Sequence, residues 1–252
     1  MRTPRVYNTE GIVLRQTRLG EADKLVCLYT PGMGKLRAVA RGAYRLRSKL
    51  AGHVEPLTHS AFLIAQGQSL DVISQAQTLQ SFLPLRQDLW RTACALYVAE
   101  LVYQFTPEGA ENYPLYRLLQ NTLGWLGEAP TLEPTLRYFE MQLLEALGYR
   151  PQLYSCVSCH NPLEPQAHLF SPSGGGVLCP GCRSAEPLSS PISLNALKVM
   201  RLLQKGEYAP AARLRLEPGL ARELERLMRG YLRYLLEKEI KSTGFLDRLR
   251  ET

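Results

Sequence analysis

Leu25-Val26-Cys27-Leu28-Tyr29-Thr30-Pro31-Gly32-Met33-Gly34-Lys35-Leu36-Arg37-Ala38-Val39-Ala40 decides the fold of the first third of this 252-residue chain. Two runs rich in apolar and β-branched side chains flank a Pro-Gly-Met-Gly cluster, the pattern of two strands joined by a tight turn. Outward from it, Gly11-Ile12-Val13-Leu14, Ala61 to Ala65 and Leu70 to Ile73 repeat the strand pattern, and Leu19-Gly20-Glu21 supplies another turn. Five short strands within about 75 residues suggest a small barrel, because closure removes the unpaired edges of a short all-β domain. An OB-type barrel over residues 1–80 is the expectation.

The same stretch carries the charge. Residues 1 to 60 hold 11 basic side chains (Arg2, Arg5, Arg15, Arg18, Lys24, Lys35, Arg37, Arg41, Arg45, Arg47, Lys49) against four acidic ones (Glu10, Glu21, Asp23, Glu55). That excess equals the net charge of the whole chain, +7, so the other 192 residues are balanced. Residues 35 to 49 contain six bases and no acid. Such a density repels itself unless solvent or a polyanion screens it, and neutralised phosphates release counterions that drive binding. A solvated positive face is the plainer reading, but concentration of the whole excess on one small barrel points to nucleic acid. Tyr44, between Arg41 and Arg45, is a candidate for stacking on a base.

From about Pro84 the apolar period becomes helical. Leu85, Leu89, Ala93, Leu96 or Tyr97, Glu100-Leu101 and Phe105 form one series, Leu115, Leu118, Leu119, Leu123 and Leu126 a second, and Leu136, Phe139, Leu143, Leu144 and Leu147 a third that Gly148 and Pro151 terminate. Helical pattern returns at Leu194, Leu197, Met200 and Leu203 behind a candidate N-cap, Ser193, and again at Leu220, Leu224, Leu227, Tyr231 and Leu235. These stripes are most simply core.

Between them stand Cys156-x-x-Cys159 and Cys179-x-x-Cys182, separated by 19 residues. Two close thiol pairs a hairpin apart match the spacing of a zinc ribbon, in which each knuckle offers two sulfurs to a tetrahedral shell. The span is rich in Pro and Gly and poor in large apolar side chains, so a metal would supply what packing does not. Two disulfides, a redox dithiol and a catalytic zinc are the competing readings. Disulfides fit poorly without a secretory signal, a dithiol would need one pair beside a βαβ unit, and four thiolates leave no position for water. One structural Zn²⁺ on Cys156, Cys159, Cys179 and Cys182 is expected. His160 and His168 lie within the span as potential substitutes, and Cys27 and Cys94 read as small core residues.

Catalytic signatures are missing. Gly32-Met33-Gly34-Lys35 resembles the end of a phosphate loop, but Tyr29 replaces its first Gly and Leu36 its Ser or Thr. There is no His-Glu-x-x-His and no Gly-x-Ser-x-Gly. No enzymatic activity is expected. No window approaches 18 apolar residues and the first residues lack an apolar signal core, so a cytoplasmic location without membrane contact is expected.

Several blocks in order resemble the bacterial RecO family of recombination mediators. They are Thr9-Glu10-Gly11-Ile12-Val13-Leu14, Gly20-Glu21-Ala22-Asp23-Lys24-Leu25-Val26, Ala38-Val39-Ala40-Arg41-Gly42-Ala43, Ser81-Phe82-x-x-Leu85-Arg86-x-Asp88, and Phe139-Glu140-x-x-Leu143-Leu144-x-x-x-Gly148-Tyr149-x-Pro151 leading into the four cysteines. The resemblance implies an α+β multidomain protein: an OB-fold nucleic-acid-binding domain (1–80), a helical domain (81–150 and 186–248) and an inserted four-cysteine zinc-ribbon-like module (151–185). It also implies DNA repair and homologous recombination, with binding of single- and double-stranded DNA and annealing of complementary strands. Implied partners are RecR, single-stranded-DNA-binding protein and, indirectly, RecA, at the nucleoid. Lys35, Arg37, Arg41, Arg45, Arg47 and Lys49 are the expected phosphate contacts, with Arg15, Arg18 and Lys24 extending the same face. An RNA-binding OB and zinc protein is the alternative on physical grounds.

Overall fold

Strand β1 (Val6–Leu19) is long enough to serve two neighbours. Its first half pairs antiparallel with β4 (His59–Ala65) and its second half with β2 (Asp23–Thr30), the change falling near a register shift between Val13 and Arg15. β2 pairs with β3 (Gly34–Ala40), and β4 with β5 (Asp71–Gln80). A short parallel contact, Ala38 with Asp71 and Val39 with Val72, closes the barrel in the order β1-β2-β3-β5-β4. The computed structural model describes residues 6–186 and 188–251, so Arg2 and Arg5 lie outside the described residues.

Alternation places Val26 and Leu28, Ala38 and Ala40, and Phe62 and Ile64 inside, with Val13, Ile73 and Val54, the last from a 3₁₀ turn over Ala51–Val54. This is the OB-like barrel expected from the strand runs. β1 and β5 extend well past their apolar runs, through Asn8, Glu10, Gln75 and Gln77, because outward-facing polar side chains interrupt the hydrophobic pattern but not the backbone ladder.

Beyond the barrel the order is α1 (Leu83–Arg86), α2 (Leu89–Phe105), α3 (Tyr113–Glu128), α4 (Glu133–Ala146), β6 (His168–Ser171), β7 (Gly176–Leu178), β8 (Ser190–Ile192), α5 (Leu194–Leu203), α6 (Tyr208–Ala212), α7 (Pro218–Leu236) and α8 (Lys241–Glu251). By contacts the chain forms two units, Met1–Glu128 with Lys241–Thr252, and Ala129–Ile240.

In the first unit, the helical period expected to run from Leu85 breaks at Gln87. Asp88 caps α2 by accepting from the Arg91 N–H at 2.8 Å. α2 is buried on more than one face, at Ala93, Cys94, Tyr97, Val98, Leu101 and Val102, so it lies between neighbours and does not present a single stripe. Glu100 on α2 receives the Lys241 and Ser242 N–H groups at 3.0 and 2.7 Å, which caps α8 from a helix remote in sequence. Gly34, at φ +58°, ends the β2–β3 turn where a Cβ would sit 1.9 Å from the Ala110 carbonyl oxygen. Only glycine admits both that dihedral and that approach.

In the second unit, α4 ends at Gly148 (φ +79°) and the chain enters the cysteine-bearing segment. β7, β6 and β8 form a three-stranded antiparallel sheet in that order. Gly176 pairs with Gln152 so closely that a Cβ would stand 2.4 Å from the Gln152 oxygen. Arg201 of α5 donates twice to the Leu153 carbonyl (2.9 and 2.7 Å), Gln204 to that of Pro151 (2.7 Å), and Tyr231 of α7 to that of Tyr149 (3.0 Å), which ties the segment to the helices. Ser193 caps α5 as expected, accepting from the Ala196 N–H.

Candidate nucleic-acid interface and metal centre

The loop from Arg41 to Leu50 leaves β3 and returns to the barrel at the 3₁₀ turn. Its two ends are fixed in the core: Ala43 is buried and Leu50 packs against the same cluster. Between them, the Gly42 N–H donates to Asp23 Oδ1 at 2.7 Å and the Tyr44 N–H to the Ala22 carbonyl at 2.9 Å. These bonds dock the loop beside the β1–β2 turn. Arg41, Arg45, Arg47 and Lys49 are exposed. None of the four forms an ion pair with another described residue. Arg18, exposed near the end of β1, donates to the Gly20 and Glu21 carbonyls and holds its guanidinium carbon 5.7 Å from the Tyr44 ring centroid. Tyr44 is half-exposed, with Lys24 Nζ 4.9 Å from its ring.

Lys24 is placed differently from a solvent-facing cation. It is buried, and its Nζ lies 2.7 Å from Glu55 Oε1. Lys35 is also buried: its Nζ donates to the Tyr103 carbonyl at 2.6 Å and lies 4.6 Å from that ring. Burial pulls the Lys35 ammonium below the ordinary lysine range, partly offset by Cys27 and Glu108. Register explains the neighbours: Arg15, Cys27 and Arg37 stand side by side on β1, β2 and β3. Arg15 lies over Tyr103 and Arg37 pairs with Glu108 at 2.7 Å, both half-exposed. Burial pushes the Cys27 thiol up to about 11, which leaves it inert, as a core cysteine should be.

The basic residues thus fall into two groups. Arg18, Arg41, Arg45, Arg47 and Lys49 gather with Tyr44 at the β1–β2 turn and the loop after β3; Arg15 and Arg37 lie exposed on β1 and β3 beside Tyr103 and Glu108, while Lys24 and Lys35 are buried. In an OB barrel the loops at such an end are where an oligonucleotide strand is gripped. Sequence spacing did not reveal Glu55, Tyr103 and Glu108 as the groups that engage cations. Glu55 alone carried a signal, as one of four acids among the first 60 residues.

In the second unit the ligand atoms of Cys156, Cys159, Cys179 and Cys182 all lie within 4.8 Å of one another. A tetrahedral shell with Zn–S bonds of about 2.3 Å places its sulfurs about 3.8 Å apart, and Cys159 Sγ and Cys179 Sγ are separated by 3.8 Å. The four thiols can therefore hold one metal ion. Two tight turns create the knuckles, with the His160 N–H donating to the Cys156 carbonyl and the Cys182 N–H to that of Cys179. Burial opposes ionisation of Cys156, but N–H groups of Cys159, Cys179 and Ser158 outweigh it and hold the thiol down at about 6. Cys182 is eased down by the Ser158 side chain yet driven up to about 11 by the sulfurs of Cys179 and Cys159. Such a set keeps a proton until a cation replaces it. His160 is exposed outside the cluster, and His168 is buried with its Nε2 2.8 Å from the Glu164 carbonyl oxygen, so neither completes the shell.

Comparison with known proteins agrees along the whole chain. A family model described as "Recombination protein O N terminal" matches residues 1–82, and one described as "Recombination protein O C terminal" matches residues 86–244. A curated relative from Roseiflexus sp., "DNA repair protein RecO", is 44% identical over 247 residues, covering 98% of this chain and 87% of that protein. Proteins of the same description from Dehalococcoides mccartyi (40% over 250 residues, 99% and 98% covered) and Symbiobacterium thermophilum (40% over 248 residues, 97% and 98%) are similar throughout. No helix among the described residues is long and apolar enough to cross a membrane.

Proposed function

The chain belongs to the Recombination protein O family of DNA repair, and from that membership we propose that it is a non-enzymatic recombination mediator that binds single- and double-stranded DNA and anneals complementary strands. Together with RecR it promotes loading of RecA on strands covered by single-stranded-DNA-binding protein, working at the nucleoid in the cytoplasm. The observation that carries this reading is the group of exposed, unpaired cations, Arg41, Arg45, Arg47 and Lys49, on one docked loop of an OB-like barrel. Arg18 and Tyr44 adjoin it.

The mechanism is electrostatic. Two DNA strands that must pair repel through their phosphates, and a surface that neutralises both backbones lowers that repulsion while leaving base edges free. Guanidinium groups suit the task because each presents several donors to phosphate oxygens and remains charged at any physiological pH. Arg15 and Arg37, half-exposed and partly engaged, extend the surface; Lys24 and Lys35 act by holding the loops and strands that display it. A DNA repair family favours DNA over RNA as the polyanion.

Cys156, Cys159, Cys179 and Cys182 hold one Zn²⁺, which cross-links two knuckles in a segment with a small core built from Leu169, Leu178 and few others. A closed thiolate shell gives that ion a structural role.

Strand annealing of complementary oligonucleotides over a salt series, with and without single-stranded-DNA-binding protein, tests the reading. Acceleration that declines as salt rises is expected. Annealing no faster than in the absence of the protein would overturn it.

A further inference from the structure

One side chain at the tip of the basic loop has no place in a purely electrostatic surface. Leu46 is fully exposed, at 106% of its reference accessibility, while the other large exposed apolar side chains among the described residues reach 70% or less. A single exposed leucine is ordinarily unremarked. The setting of this one is particular. The Ser48 N–H donates to the Arg45 carbonyl at 2.9 Å, closing a turn whose two corner residues are Leu46 and Arg47. The base of the loop is locked by Gly42 to Asp23 and Tyr44 to Ala22, and its ends are buried at Ala43 and packed at Leu50. The loop base is thus tied to the barrel, and the isobutyl group stands in water where burial would be favourable.

We propose that Leu46 is a wedge that enters the base stack of DNA while Arg45 and Arg47 hold the phosphates on either side. The inference rests on the reading of this loop as a backbone contact and adds a different kind of interaction to it. Apolar side chains inserted between base steps unstack them, and the flanking cations offset the penalty by gripping the distorted backbone. The alternation Arg45-Leu46-Arg47 supplies that arrangement within three residues. A wedge would also serve annealing, because a strand whose bases are held partly unstacked is easier to re-register against its complement. A nucleic-acid occupant fits this tip because Arg45 and Arg47, which flank Leu46, and Lys49 close by are exposed cations that backbone phosphates would neutralise.

The test uses the full chain and oligonucleotides bearing 2-aminopurine, an adenine analogue that brightens on unstacking, at successive positions in single strands and duplexes. At saturating wild type the emission should rise. In Leu46→Ala the rise should fall at least about threefold while affinity stays within about threefold and the salt dependence is unchanged. Leu46→Met should retain the rise. Since the side chain touches nothing, both variants should melt with the wild type. Binding with an equal rise in wild type and Leu46→Ala, or with no rise in wild type, would overturn the wedge and leave the basic surface standing. Absence of binding by wild type would overturn both.

Discussion

Lys24 Nζ lies 2.7 Å from Glu55 Oε1, so a base near the end of the barrel is tied to an acid 31 positions along the chain, just beyond the 3₁₀ turn. The lysine side chain is 5% accessible and the glutamate 39%. The pair therefore fastens the start of β2 to the segment that precedes β4, and its contribution is to the barrel. Lys24→Met should lower stability by about 1–3 kcal/mol, in the range of a charge-assisted hydrogen bond, with the exposed glutamate limiting the loss. Thermal melts should show the fall, whereas the slope of log K for DNA against log salt should not change. A reduced slope at full stability would return Lys24 to the phosphate contacts.

The loop cations should behave in the opposite way. Neutralising Arg41, Arg45, Arg47 and Lys49 singly, as Gln, should leave the melting temperature near wild type because each is solvated. Each should flatten the salt dependence of single-strand binding by about 0.7 in the log–log slope. Fluorescence titrations at several salt concentrations measure this directly, and an unchanged slope in the fourfold variant would remove the loop from the interface.

For the metal centre, elemental analysis of reduced wild-type protein should find about one zinc per chain, and Cys156→Ser combined with Cys179→Ser should find about none. The double variant should become protease-sensitive between residues 151 and 186, where packing is thin, while barrel-dependent DNA binding persists. Wild type free of metal under reducing conditions would contradict the zinc assignment.

His59 provides a pH dependence. It is buried, with Nε2 2.9 Å from Tyr116 Oη, 3.4 Å from Glu10 Oε2, and Nδ1 near the Gln120 amide. Burial lowers its pKa below the ordinary 6.5, against a smaller opposing pull from Glu10 and with help from Arg117. The folded state therefore holds the neutral ring more firmly than the unfolded chain does. Protons bind the unfolded chain preferentially, so stability is present above about pH 6.5 and declines as pH falls below it. Melts from about pH 7.5 to 5.5 should slope downward, and the slope should be shallower in His59→Gln. Equal slopes would assign the acid sensitivity to other groups.

Local pattern made much of the fold legible. Alternation in Val26–Leu28 and Phe62–Ile64, and the turn at Pro31–Gly34, marked the barrel because a period of two with one buried face has few other solutions. Gly148 and Ser193 marked helix ends through their own backbone chemistry. The break at Gln87 was not legible, since Leu85 and Leu89 keep the helical spacing across it and only Asp88 acts as a cap. The packing of α8 against α2, capped by Glu100, was equally silent, because a cap supplied from 141 positions away leaves no local trace.

The cysteine centre and the placement of the positive charge on the barrel were determined by the sequence itself: thiol spacing fixes a knuckle, and charge is a property of composition. Which cations face water was decided only in three dimensions. Lys24 and Lys35 were expected on the same phosphate-binding face as Arg45 and Arg47, yet Lys24 is covered with Glu55 and Lys35 with Tyr103, while Arg45 and Arg47 are exposed. Strand alternation tells inside from outside, but whether an outward residue is then covered depends on contacts made from distant parts of the chain, and no local pattern encodes those.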